Sequence, residues 1–217
     1  MLKILILGCS FTQGHTKPYE NSWSWQLSQR HPHIKFSDYS KGGSSVQWSR
    51  YCLDSVTDKF DAVIAQYTGQ YRLSIWPKDI NLNHYRIQKS PNYSTWDSDK
   101  LELECDFAGS GWLGTPRFGW PGNSEPKVPF IREYFTHLPE EFNIINYQCV
   151  VADIHKRVDF GFKWHNNVPL CDLPCAEDNI KDWQNLIIDE GLHLGVQGSN
   201  LVADWSEDSF LKPQGFI

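Results

Sequence analysis

An α/β fold built on a parallel sheet, with a site at the carboxyl edge of its strands, is what this 217-residue sequence predicts. Three observations predict it. Leu2–Leu7 is an apolar run without alternation, as expected of a central strand covered on both faces. Two further strand-length runs follow, each of the three ending in small or polar residues. Helical stretches lie between them, and the length suits one domain over residues 1–217 with a substantial core.

In chain order, the first strand stops at Gly8-Cys9-Ser10, where the chain must turn. Ser22–Arg30 can form a helix, capped by Asn21 or Ser22 and stopped near Pro32. Ile34–Tyr39 reads as the second strand and runs into a turn, Ser40–Ser45, that holds Gly42 and Gly43. Val46–Phe60 is then a helical stretch with Ser44 or Ser45 as its cap, and Asp61–Tyr67 is a third strand ending at Thr68-Gly69-Gln70. Over about 74–130 the periodicity disappears while Trp, Pro, Gly, Asn and Ser accumulate. This stretch is expected to be an insertion packed over the sheet edge, with short hairpins inside it, because structureless loops of that length are uncommon. Phe142–Lys156 looks partly helical, with a strand over Phe142–Tyr147 as the alternative. Val158–Trp164 reads as a strand, Asp182–Ile188 as a short helix or turn, Asp189–His193 as a polar loop, and Ser199–Trp205 as the start of a closing helix.

Composition excludes several classes of function. A net charge of −6 and the lack of any Lys/Arg-rich run leave no electrostatic footprint for nucleic acid. No window approaches the roughly 18–20 apolar residues of a membrane span. Leu5–Cys9 looks like a lipoprotein cleavage site, but only eight residues precede Cys9, too few for a signal, so a cytoplasmic protein is expected. Six irregularly spaced cysteines read as reduced thiols rather than a disulfide framework. Cys171 and Cys175, with His165 and Asp172 nearby, have the loose spacing of a turn with two thiols rather than of a zinc site. Ten tryptophans are too many for all to be buried. Trp76, Trp96, Trp112 and Trp120 either form the core of the insertion or line a cleft that stacks on sugar rings.

Chemistry concentrates at Ser10. A serine where a buried strand stops can present its hydroxyl outward, while backbone N–H groups at the following helix offer positive partial charge to an oxyanion. A nucleophilic serine needs a base to take its proton and an acid to orient that base. His193 lies in a polar loop, three residues after Glu190 and four after Asp189, so one loop can supply both partners. Glu190 is preferred by spacing, with Asp189 as the alternative. Cys9 beside Ser10 is read as an inert buried thiol. Arg72 is either a holder of an anionic substrate or an ordinary surface ion-pair partner.

Gly8-Cys9-Ser10-Phe11-Thr12, the Gly42-Gly43-Ser44-Ser45 turn, Thr68-Gly69-Gln70 and Glu190-Gly191-Leu192-His193 resemble, in order and position, the sequence blocks of the SGNH, or GDSL-like, hydrolases. Gly198 and Leu201–Ala203 resemble that family's last helix. The resemblance covers Leu2–Arg72 and Ile187–Trp205. It implies a three-layer, flavodoxin-like α/β fold with a mostly parallel sheet of about five strands and helices on both faces. It also implies that Ser10 is the nucleophile and an oxyanion N–H donor, Gly43 a second backbone donor, His193 the general base and then acid, and Glu190 the orienting acid in place of the family's usual aspartate. The family's third oxyanion donor is an asparagine side chain. Here Gln70 falls at that position, and the Thr68 hydroxyl is the alternative. The activity implied is cleavage of a small acyl ester, such as an O-acetyl group on a carbohydrate, through an acyl-enzyme and with no metal or organic cofactor. Two rivals share these features: an acyltransferase on the same fold, and a glycan-binding module without turnover.

Overall fold

The computed structural model describes residues 1–13, 22–42, 44–70, 72–74, 86–96, 110–112, 137, 140–164, 172–188 and 193–217. Its main sheet starts with β1 (Leu2–Leu7), whose residues from Ile4 to Leu7 are all buried. Parallel strands flank β1 on both sides, β2 (Ile34–Asp38) with Ile4 opposite Phe36 and β3 (Ala62–Tyr67) with Ile4 opposite Ala62. With both of its edges paired β1 lies inside the sheet, and cover on both faces, Ile4 and Ile6 in one cluster and Leu5 and Leu7 in the other, is why Ile4–Leu7 is apolar without alternation.

Three more strands complete the sheet. β4 (Arg72–Ser74) pairs outside it with β7 (Ser110–Trp112), antiparallel. β5 (Arg86–Ser90) and β6 (Tyr93–Trp96) form a hairpin, and β8 (Phe160–Lys163) runs parallel to β3. The order is β5-β6-β2-β1-β3-β8, with β5 alone antiparallel. The central order is flavodoxin-like, and the sheet has six strands where about five were expected. The difference arises inside the stretch expected to stand over the edge. The hairpin there joins the sheet, with Phe36 opposite Tyr93, and the buried Tyr93 and Asn92 are what it brings to the core side. Residues 75–85, 97–109 and 113–130 of that stretch lie outside the described residues.

Helices cover both faces. α1 (Ser10–Gln13) is one short turn, and α2 (Trp23–Arg30) is capped by Ser22, whose hydroxyl accepts the Trp25 N–H at 3.1 Å. α3 (Val46–Ser55), α4 (Glu140–His155), α5 (Ala176–Asn179) and α6 (Val196–Ser206) follow, the last running into a π-turn at Glu207–Leu211. Trp23 and Leu27 of α2, Val202 and Ala203 of α6, and Phe210 pack on one face with Ile4, Ile6 and Phe36. On the other, Trp48 and Cys52 of α3 and Tyr147, Val151 and Ile154 of α4 pack with Leu5, Leu7 and Ala65. Arg30 staples the first layer, donating to Asp204 at 2.5 Å, Glu207 at 3.1 Å and the Asn200 side chain at 2.9 Å.

One local expectation changes and one open alternative closes. α3 stops at Ser55 rather than Phe60, because Val56 adopts an extended backbone while its N–H closes the last turn on the Cys52 carbonyl. Phe142–Tyr147 is helix, inside α4. Among the described cysteines, Cys9, Cys52, Cys149 and Cys175 are free thiols, and burial pushes the Cys52 thiol well up. Trp23, Trp48 and Trp164 are buried, whereas Trp25, Trp183 and Trp205 are partly so. No described helix is long and apolar enough to cross a membrane.

Candidate active site

The carboxyl ends of β1, β2 and β3 lie side by side, and the loops leaving them are stitched together by hydrogen bonds. The Gly8 carbonyl, just past β1, accepts from the Lys41 N–H at 3.2 Å and the Ser44 hydroxyl at 2.9 Å. Ser44 N–H donates to the Lys41 carbonyl at 3.0 Å, and the Gln13 side chain of α1 accepts the Gly42 N–H at 2.7 Å. Gly43 itself lies outside the described residues. Both neighbours of that glycine are therefore tied to the turn that carries Ser10.

Ser10 opens α1 and is buried. The Cys9 carbonyl accepts from the Thr12 and Gln13 N–H groups, each at 3.0 Å. In a trans peptide the N–H points away from the carbonyl of the same plane, so the Ser10 N–H points away from α1. That leaves it directed outward from the helical turn, as an anion donor would be.

His193 arrives from the far end of the chain. Ile187 and Leu194 form an antiparallel bridge, and the Ile188 N–H donates to the His193 carbonyl at 2.9 Å. These bonds tie together the two ends of segment 189–192, which lies outside the described residues and contains Asp189 and Glu190. The His193 side chain is buried, with its ring centroid 5.0 Å from that of Phe11, the residue after Ser10. Phe11 stacks in turn on Trp164, which follows β8, at 5.3 Å. An aromatic row thus fixes His193 beside the Ser10 turn. At the third strand end, Thr68 is buried and its carbonyl accepts the Tyr147 hydroxyl at 2.5 Å, while Gln70 is half-buried. Arg72 opens β4, with its backbone opposite Trp112.

Of the expected set, then, Ser10, His193 and Thr68 are buried at the carboxyl edge and Gln70 lies at its rim. Cys171 and His165 fall outside the described residues, and no group able to hold a metal ion occurs among the described ones.

Three polar side chains escaped the sequence reading. Gln66, buried in β3, accepts from the Cys9 N–H, the Cys9 thiol and the Thr12 hydroxyl, and donates to the Tyr67 carbonyl. Asp38, at the end of β2, is fully buried and accepts from the hydroxyls of Ser24, Ser40 and Tyr93 and from the Ser40 N–H. Burial holds its carboxyl above the ordinary carboxylate range, against the opposing pull of those hydrogen bonds. Burial, reinforced by the Asp38 charge, likewise pushes the Tyr93 phenol well up. Lys41, also buried, keeps its ammonium 5.7 Å from the centroid of Trp48. For Gln66 the available signal was a polar residue inside the otherwise apolar run of β3, whereas Asp38 and Lys41 follow other polar residues and had no such mark.

Close approach of α1 to β1 depends on Gly8. A Cβ there would lie 2.2 Å from the Thr12 hydroxyl oxygen and 2.7 Å from the Thr12 Cβ. Gly8→Ala is expected to lift α1 off the strand and to cost roughly 1–3 kcal/mol. In a thermal melt that reads as a fall in Tm of about 2–12 °C.

No family model matches the sequence, and no curated protein matches it. Among solved structures the chain is similar to a member of the lipolytic protein G-D-S-L family from Veillonella parvula. That alignment has 10% identity and a TM-score of 0.46, and it covers 98% of this chain and 100% of that one. A protein assigned to the lipolytic G-D-S-L family from Desulfitobacterium hafniense is similar at 12% identity and a TM-score of 0.43, over 96% of this chain and 99% of that one.

Proposed function

We propose that this protein is a serine hydrolase of the SGNH kind that cleaves small acyl esters, with an O-acetylated carbohydrate as the substrate class. One observation carries the reading. His193 packs its ring on Phe11, so a histidine and the Ser10 turn, from opposite ends of the chain, meet at the carboxyl edge of the sheet. Chemistry at that edge is the rule for open α/β sheets.

In this reading the Ser10 hydroxyl attacks the ester carbonyl carbon while His193 takes its proton. The developing oxyanion is received by the Ser10 and Gly43 N–H groups and by the side chain of Gln70 or Thr68. Collapse of the tetrahedral intermediate breaks the carbon–oxygen bond to the alcohol, which leaves with the proton from His193. Water, deprotonated by His193, then attacks the acyl-serine, releasing the acid and restoring Ser10. Glu190, or Asp189, orients the imidazole and supports its positive charge.

A fluorophosphonate probe tests the assignment. Wild type is expected to be labelled at Ser10 and Ser10→Ala not at all, with p-nitrophenyl acetate hydrolysis lost in parallel. Labelling that persists in Ser10→Ala sinks the assignment. Acetate release from O-acetylated sugars, compared with longer acyl esters, tests the substrate class.

A further inference from the structure

Gln66 is an expensive residue in its position. β3 lies between β1 and β8, and both alternate faces of it are buried apart from the half-buried Val63. An apolar side chain would fill such a position with no polar atoms to satisfy, whereas a buried amide must find partners at both ends. Beyond its neighbour Tyr67 in β3, Gln66 finds its partners at the turn and short helix that carry Ser10. Its Oε1 accepts from the Cys9 N–H at 3.4 Å, the Cys9 Sγ at 3.2 Å and the Thr12 Oγ1 at 3.2 Å. Its Nε2 donates to the Tyr67 carbonyl at 2.7 Å. Because the Cys9 N–H can only donate and the Tyr67 carbonyl can only accept, the chemistry fixes which end of the amide faces which strand.

Cys9 is consequently held on both sides. Its carbonyl is taken by the N–H groups of Thr12 and Gln13, and its N–H and thiol by Gln66. The peptide plane that contains the Ser10 N–H has little freedom left. The same glutamine grips the residue that precedes Thr68, on the strand end that leads to Gln70.

We propose that Gln66 is a positioning residue, which locks the Cys9–Ser10 peptide in register with the β3 end that carries Thr68 and Gln70. This inference rests on the reading of Ser10 as nucleophile. Gln66 touches no substrate. It sets the distance between the nucleophile with its own N–H and the third oxyanion donor, and that distance matters most when the carbonyl oxygen becomes an oxyanion.

The test is steady-state hydrolysis of p-nitrophenyl acetate by wild type, Ser10→Ala, Gln66→Met and Thr12→Val, with circular dichroism melts of each. Gln66→Met keeps the length of the side chain and removes every hydrogen bond it makes. It is expected to lower kcat by about 10- to 100-fold, the scale of an ångström-sized misplacement, while KM stays within about threefold. Thr12→Val removes one of the hydrogen bonds and is expected to lower kcat in the same direction by a smaller factor. A folded Gln66→Met with the kcat of wild type overturns the proposal. So does a loss of rate that merely tracks the unfolded fraction in the melt, because a purely structural role would do that. Should Gln66→Met fail to fold, Thr12→Val decides, an unchanged kcat overturning the proposal. Wild-type turnover that does not depend on Ser10 overturns the nucleophile reading and the positioning role with it. Ser10-dependent turnover with unmoved kcat in the variants overturns the positioning role alone.

Discussion

His193→Ala is expected to lower kcat for ester hydrolysis by on the order of 10^4- to 10^6-fold, because loss of the base disables nucleophile activation and leaving-group protonation together. Binding should change little, so KM is expected to stay within a few-fold. The mutation also removes a ring packed on Phe11, so a melt must accompany the kinetics. A modest fall in Tm is expected, since the backbone of His193 stays held by the Ile188 N–H and the Ile187–Leu194 bridge. Turnover in His193→Ala close to that of wild type, in folded protein, removes His193 from the mechanism. The orienting acid separates in the same assay. Glu190→Gln is expected to lower kcat by about 10^3- to 10^4-fold through loss of imidazole orientation, with Asp189→Asn near wild type. The opposite pattern assigns the role to Asp189.

The parts of this fold that could be read from sequence are those decided by local pattern. Ile4–Leu7 had to lie in an inner strand because a strand with one solvent-facing side does not carry four such residues in a row, and the α2 cap was narrowed to Asn21 or Ser22 by residue type and position alone. α3 was read too long because Val56–Phe60 offers no proline or glycine to stop a helix. The pairing of β3 with β1, tied at its start by the Lys3 N–H on the Asp61 carboxylate at 2.7 Å, needs the chain extended there. A hairpin within the 74–130 stretch was expected, but its joining the main sheet was illegible for a related reason. Its place beside β2 is set by Phe36, Tyr93 and the Asn92 side chain, which donates to the Ser28 carbonyl at 2.6 Å, and all of these are distant in sequence.

The candidate site divides in the same way. Ser10 and His193 could be singled out by neighbours in the sequence, but their meeting depends on Phe11 and Trp164, which have no local signature. Gln66 and Asp38 could not be assigned as site-forming groups from sequence because the partners that give them that role, Cys9 and Thr12 for Gln66 and Ser24 and Tyr93 for Asp38, are distant in the chain. A buried polar side chain is tolerated only when its partners arrive from elsewhere in the chain.

Asp38 is where that dependence should be most costly to break. Its carboxylate gathers Ser24 of α2, Tyr93 of β6 and Ser40, the residue before the Lys41–Ser44 turn, into one buried network. Asp38→Ala strands donors that burial keeps from water, and a loss of about 3 kcal/mol is expected. For a chain of this size that corresponds to a Tm lower by roughly 6–12 °C. Asp38→Asn is the informative partner, since its carbonyl can accept from Ser40 while its amide donates to the hydroxyls of Ser24 and Tyr93, which are free to rotate. Burial raises the Asp38 pKa in the folded protein above that of the unfolded chain, so the folded state binds the proton more tightly. The stability that this group contributes is then fully present below its unfolded pKa, near 3.8, and is lost as pH rises through the folded value. Asp38→Asn cannot titrate. The Tm of Asp38→Asn minus that of wild type should therefore grow more positive from pH 4 upward until Asp38 is fully ionised. Melting curves of the two proteins between pH 4 and 8 read this directly. Parallel Tm profiles would mean that Asp38 keeps its ordinary affinity for a proton despite complete burial, and that its four hydrogen bonds offset the whole cost of desolvation.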